Sequence, residues 1–239
     1  MAIDQLYFEY LSSAIKLLRE DQLKVDSPLQ VGCLSYPDLL VTKEQIVSKF
    51  PHLAKSDFVV RNDVEKIRKW HGMPHLEEII ETSDFFKKLN CDSDYFDFSE
   101  IRGGEIITDL NMPIDEKYHG QYDLIVDTGT LEHCFNVGVA FNNMCKLSSV
   151  GGLILSAAPM TKINHGFWNF SPCAYENYFS QNKFKILFLG AFYKEKGKII
   201  KIQISANTRQ ICPAESALLC VARRLVSSTF NLPIQQKYL

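Results

Sequence analysis

The sequence is short of nearly everything that would staple, anchor or strongly charge a protein. Its seven cysteines (Cys33, Cys91, Cys134, Cys145, Cys173, Cys212 and Cys220) include no C-x-x-C pair. Neither a disulfide framework nor a zinc knot is expected, and reduced thiols in a cytoplasmic protein are the natural reading. No run of about 18 uncharged apolar residues occurs, so no membrane span is expected. The opening MAIDQLYFEYLSSAIKLLRE lacks a basic start followed by an apolar run, so it does not read as a secretory leader. A formal net charge of -2 over 239 residues leaves no basic footprint for nucleic acid. Internal repeats and low-complexity tracts are missing too. So is a G-x-G-x-x-G turn, which a pyrophosphate at a helix N-terminus normally demands. A nicotinamide-dependent oxidoreductase therefore fits poorly.

What is present is an ordinary globular mixture, 46% hydrophobic and 23% charged. At this length a single domain over 1–239 can bury roughly 70% of its unfolded surface. Tyr7, Leu11, Ile15 and Leu18 recur at helical spacing, which predicts an N-terminal helix within 1–27. Leu29–Leu34 predicts a first buried strand, and 43–50 a helix stopped by Pro51. Residues 51–75 are charged and irregular, and suggest an insertion or lid. Leu76–Leu89 predicts one further helix.

From Cys91 onward the pattern sharpens. Strands are predicted to end at Asp97, Asp109 and Asp127, with a turn at Gly103-Gly104. A helix over Asn136–Leu147, a turn at Val150–Gly152 and a strand over Leu153–Ala157 follow. Ser171-Pro172 opens the next helix, with proline in its first turn. Phe184–Leu189, Lys198–Ile204 and Ala217–Val221 supply late strands. Short apolar strands alternating with helices imply a parallel sheet covered on both faces, whose ligands bind at the carboxyl ends of the strands. The closely spaced late strands imply an antiparallel end to the sheet.

Asp97, Asp109 and Asp127 each sit at such a strand end. An aspartate there is often a turn former or helix cap. Three on successive strands favour a nucleoside ligand without a pyrophosphate. One carboxylate can accept both ribose hydroxyls, and another can accept the adenine amino group.

The stretches Y-D-L-I-V-D-T-G-T-L-E-H-C-F-N and V-G-G-L-I-L-S-A-A-P resemble the second half of the class I S-adenosylmethionine-dependent methyltransferases. D-F-S-E-I-R-G-G-E-I-I-T-D-L-N-M-P-I and N-H-G-F-W-N-F-S-P resemble a poorly characterised bacterial branch of that family. The resemblance covers about residues 28–224 and is strongest over 91–190. It implies a Rossmann-like α/β fold: a seven-stranded, mostly parallel sheet with helices on both faces and an antiparallel C-terminal strand. It also implies S-adenosyl-L-methionine as cofactor. Asp97 would bind the ribose, Asp109 and Leu110 the adenine, while Asp127, Thr128 and Gly129 would line the cofactor near its sulfur. The family's glycine-rich first loop is reduced here to V-G-C-L-S-Y-P-D, in which Gly32 is the glycine that remains.

Methyl transfer from a sulfonium is an in-line displacement, so the protein's chief task is alignment. An alcohol acceptor gains from a general base. His165, in the polar and aromatic loop N-H-G-F-W, and His133, just after the fourth strand, are the candidates for base or substrate contact. Each also has a plain structural reading. Phe167, Trp168 and Phe170 either line an acceptor pocket or belong to the core. No metal is expected. The acceptor expected from the resemblance is a small molecule or a glycan or natural-product precursor, methylated on oxygen or nitrogen. Nucleic acid is not expected as substrate. The reduced first loop keeps open a second reading, a non-catalytic binding or partner subunit.

Overall fold

The computed structural model describes residues 1–21, 27–202, 204 and 209–239. The chain opens with a two-residue strand, β1 (Ala2–Ile3), and α1 (Gln5–Asp21). β2 (Leu29–Leu34) and β3 (Asp38–Leu39) follow, then α2 (Lys43–Lys49), α3 (Val64–His71) and α4 (Thr82–Lys88). Next come β4 (Cys91–Asp97), β5 (Ile106–Ile107), β6 (Tyr122–Thr128), α5 (Val137–Leu147) and β7 (Ser148–Pro159). The last elements are α6 (Pro172–Gln181), β8 (Phe184–Glu195), β9 (Lys198–Ile202) and β10 (Ala217–Arg224).

The main sheet has the order β5-β4-β2-β6-β7-β10-β8-β9. β5 through β7 pair in parallel, and β10 inserts antiparallel between β7 and β8. This is the expected Rossmann-like sheet with its antiparallel C-terminal strand. It has eight strands instead of seven, because β9 folds back on β8 as an added edge hairpin. β1 and β3 pair separately in parallel.

The two-residue period of the strands decides which helix covers which face. Val31, Cys33, Leu124, Val126, Leu153 and Leu155 enter one core with α1, α2 and α4. Leu34, Ile125, Ile154, Leu218, Cys220 and Ala222 enter the other with α5 and α6. Burying each large aliphatic side chain contributes about 1.5–3 kcal/mol, so both layers hold the sheet flat between them. α1 is further registered by Tyr7, whose buried hydroxyl donates to the Leu155 carbonyl at 2.6 Å and lies 3.1 Å from that of Asp127.

Three local expectations need correction. Leu76–Leu89 is not one helix. Ile80 bridges Leu39 and Val60 in extended conformation, and only Thr82–Lys88 is helical. Leu76 and Ile79 instead join Leu40 and Ile67 in a small third core. Val150–Gly152 is not a turn between elements, since β7 runs through it, with Gly151 at φ 86°. The pairing with β6 shifts register there, between Tyr122 and Leu124. The strand expected over Lys198–Ile204 ends at Ile202, and residue 203 lies outside the described residues, as do residues 22–26 of the N-terminal segment.

The 51–75 segment carries α3, closed by Gly72 in the left-handed conformation at φ 64°. An ion-pair network ties it down. Asp38 takes His71 Nε2 at 2.9 Å and Arg102 at 2.9 Å, while Asp63 takes Arg61 at 2.7 Å and Arg102 at 2.8 Å.

Candidate functional site

β2 lies where the strand order reverses: the chain continues from it to β4 on one side, and β6 pairs with it on the other. Loops leaving the two strands part at such a point and open a crevice at their carboxyl ends. Here the crevice is a cleft of about 240 Å³ lined by Ser35, Asp97, Thr108, Asp109, Leu110 and Thr130, among others. Asp97, Asp109 and Leu110, expected together from the sequence, do come together.

Asp97 ends β4 half-buried. Its Oδ1 accepts from the Phe98 amide at 2.8 Å and its Oδ2 from the Tyr36 amide at 3.3 Å. A carboxylate oxygen has room for more than one donor, so this one is held in place with acceptor capacity left over. Asp109 lies two residues beyond β5, exposed, and its Oδ1 takes the Asn111 amide and side chain at 2.9 and 2.8 Å. That turn carries the buried Leu110 into the cleft wall.

Gly32 is not in the loop. It sits inside β2, paired with Ile125 and Asp94, and an added Cβ would meet Tyr122 and Ile125 at 3.0 Å. Its missing side chain lets the Tyr122 ring lie against the strand, so its role is packing beneath the site. The position that a loop glycine would serve belongs to Ser35, buried, with φ 76°. Ser35 donates its amide to Phe96 at 2.7 Å, and the Thr130 hydroxyl, bonded to the Leu34 carbonyl, lies 3.2 Å from its Oγ. Tyr36 turns its ring away from the cleft onto Tyr95, centroids 4.2 Å apart, and its hydroxyl bonds Glu81. Ser35 and Thr130 were not legible as site residues, because a positive φ at serine leaves no mark in sequence.

Asp127 also departs from expectation. It is 0% exposed, with Oδ1 accepting the Thr130 amide at 2.9 Å and Oδ2 the Ser156 hydroxyl at 2.6 Å. Ser156 in turn meets the Tyr175 hydroxyl at 2.9 Å. Burial pushes the Asp127 carboxyl up to about 6, with those hydrogen bonds holding it from rising further. Asp127 thus shapes the turn after β6 and does not face a ligand. Thr128 and Gly129, by contrast, line a second, larger cleft of about 670 Å³, which shares Met1 and His133 with the first. Trp70, 78% exposed, and His71 bring α3 into its wall.

Glu132, His133 and His165 stand together in this larger cleft. Glu132 belongs to a tight 3-10 turn, Leu131–His133, that follows β6. Its carbonyl accepts the amides of Phe167 and Trp168 at 2.8 and 3.3 Å, which straps the 164–168 loop to the turn. Two glycines make room: a Cβ on Gly166 would lie 2.7 Å from the Glu132 carbonyl oxygen, and one on Gly129 (φ 96°) 2.8 Å from its Oε1. The strap places His165 Nε2 3.5 Å from Glu132 Oε1, with the His133 and His165 rings 5.5 Å apart. Burial, then the charge of Asp127, pushes the Glu132 carboxyl up to about 8. Burial lowers both histidines, helped by their proximity in the case of His133 and by Lys162 in that of His165. Neutral imidazoles are available there to take a proton or a ligand. Phe167 and Trp168 join Phe135 in an exposed aromatic patch next to the cleft, while Phe170 is buried in the core.

No family model and no curated protein matches the chain. Among solved structures it is similar to the Burkholderia thailandensis 1,6-didemethyltoxoflavin-N1-methyltransferase with bound 1,6-didemethyltoxoflavin and S-adenosylhomocysteine. That likeness has TM-score 0.44 and 10% identity, over 90% of this chain and 77% of the other. It is similar to TehB from Haemophilus influenzae at TM-score 0.39 and 14% identity, over 89% of this chain and 62% of TehB. It is also similar to the [4+2]-cyclase SpnF at TM-score 0.34 and 10% identity, over 90% and 81%. The chain thus spans a little under two thirds of TehB. No described helix is long and apolar enough to cross a membrane.

Proposed function

We propose that this chain is an S-adenosyl-L-methionine-dependent methyltransferase whose acceptor is a small molecule or a glycan or natural-product precursor. The observation that carries the reading is the narrower cleft at the switch point. It gathers Asp97, Asp109 and Leu110 from two successive strand ends, next to the backbone of the turn after β2. In this reading Asp97 accepts the ribose hydroxyls, and Asp109 with Leu110 frames the adenine. Thr128 and Gly129 pass the sulfonium end into the larger cleft, where an oxygen or nitrogen acceptor approaches His133 and His165. Met1 and His133 line both clefts, which supports a continuous path between donor and acceptor. The toxoflavin enzyme, whose structure holds a small-molecule substrate, illustrates the acceptor class.

The test is calorimetric titration with S-adenosylmethionine and S-adenosylhomocysteine, on the wild type and on Asp97→Ala. A hydrogen bond to a charged group is worth about 1.5–3 kcal/mol, so the variant should bind at least about tenfold more weakly. Acceptor screening with His165→Ala follows. Cofactor binding without turnover on any acceptor would favour the partner-subunit reading, and no binding by the wild type would remove the enzyme reading.

A further inference from the structure

We propose that Glu132, His133 and His165 form a site for a divalent transition-metal ion of the Zn²⁺ or Co²⁺ kind, set in the floor of the larger cleft. The inference does not depend on methyl transfer. One ligand atom from each of the three residues lies within 4.8 Å of the others. Ligands about 2.0–2.2 Å from a tetrahedral ion are separated from each other by roughly 3.4 Å. The 3.5 Å between Glu132 Oε1 and His165 Nε2 already has that spacing, and a small rotation of the exposed His133 ring would bring in the third ligand.

The second observation is the state of Glu132. Its side chain is 1% exposed, yet Oε2 has no hydrogen-bond partner among the described residues. Among the described residues no lysine or arginine nitrogen comes within 4.0 Å of it, Lys162 included. A buried carboxylate oxygen without a partner costs several kcal/mol unless a proton or a cation satisfies it. The protein keeps that cost fixed in place: Gly129 and Gly166 are the two positions where a side chain would displace Glu132, and the Phe167 and Trp168 amides hold its backbone. Two imidazoles and one carboxylate suit zinc, cobalt, nickel or iron better than magnesium or calcium, which prefer all-oxygen sets. With three protein ligands, the ion keeps a position open toward the cleft. There it would bind an acceptor hydroxyl and favour its deprotonation.

The test uses untagged full-length protein, stripped with a chelator and dialysed. It is titrated with Co²⁺ by visible absorption and with Zn²⁺ by calorimetry, with no cofactor present. The expected result is one equivalent of either ion, with cobalt bands of a nitrogen- and oxygen-ligated site. His165→Ala and His133→Ala, both at exposed positions, should each weaken binding about tenfold or more, and Mg²⁺ should not compete. Glu132→Gln should do the same if it folds. No stoichiometric binding by the wild type, or binding unchanged in both histidine variants, overturns the proposal and leaves Glu132 as a protonated acid.

Discussion

Asp127→Asn should change how stability depends on pH, and the sign follows from where the carboxyl sits. In the unfolded chain this group releases its proton near the ordinary aspartate value of 3.8, whereas in the folded protein it holds it up to about 6. Between those values the native state binds more protons, so stability falls as pH rises through the window. The penalty is absent below the lower value and complete above the upper one. A rise of about two units corresponds to roughly 3 kcal/mol. Asparagine keeps an acceptor for the Thr130 amide, and Ser156 can accept from the new NH₂ while donating to Tyr175, so the turn survives. The variant loses the charge-assisted character of two hydrogen bonds, which offsets about 1–2 kcal/mol of the gain at neutral pH. Urea unfolding followed by circular dichroism at several pH values from about 4.5 to 7.5 reads the difference between the two proteins. Glu132 is present in both, so its own titration largely cancels. The variant should gain on the wild type by about 1–2 kcal/mol as pH rises across the window, with the slope concentrated below pH ~6. A difference that stays flat, or one that favours the wild type increasingly as pH rises, would refute the assignment of Asp127 as a desolvated, structural carboxyl.

Gly166→Ala forces a Cβ against the Glu132 carbonyl, and should destabilise by about 1–3 kcal/mol, read as a lowered urea midpoint. Tyr7→Phe removes the hydroxyl that ties α1 to the Leu155 and Asp127 carbonyls, and should cost about 1–2 kcal/mol with no change in cofactor affinity. Ser35→Gly relieves a positive φ and should be neutral to slightly stabilising, by less than about 1 kcal/mol. A clear destabilisation there would mean that the contact between Ser35 and Thr130 outweighs the backbone strain.

The sheet was legible because buried parallel strands write themselves as apolar runs and because the carboxylates cluster at their ends. Asp97, Asp109 and Leu110 were found that way, and the structure brings them into one cleft. Asp127 followed the same pattern and went elsewhere. A strand-end aspartate reads identically whether it faces the crevice or caps the turn beneath it, and the choice here was made by Ser156, 29 residues away in sequence. Gly32 misled for a related reason: in a chain with one glycine near the first loop, that glycine reads as the loop's hinge, whereas the hinge is a serine. The Leu76–Leu89 helix failed because its apolar spacing serves a bridge with Leu39 and a separate small core, a tertiary demand that outranks local periodicity. Glu132 was visible in L-E-H but had no assigned role, since its importance lies in what surrounds it.

The ion-pair network on Asp38 bears on how the larger cleft can be entered. Asp38 is 8% exposed and engages His71 from α3 and Arg102 from the loop that follows Asp97. Swinging α3 outward would strip both partners from a carboxylate that little solvent can reach, and parting a buried charged pair in this way costs about 3–5 kcal/mol. An open form with that penalty is populated at roughly one part in a hundred to one in several thousand. The rim therefore works as a strut braced against the cofactor side. Traffic into the cleft is left to the rotamers of exposed side chains such as Trp70, and a tug on α3 would be felt at the loop that holds Asp97.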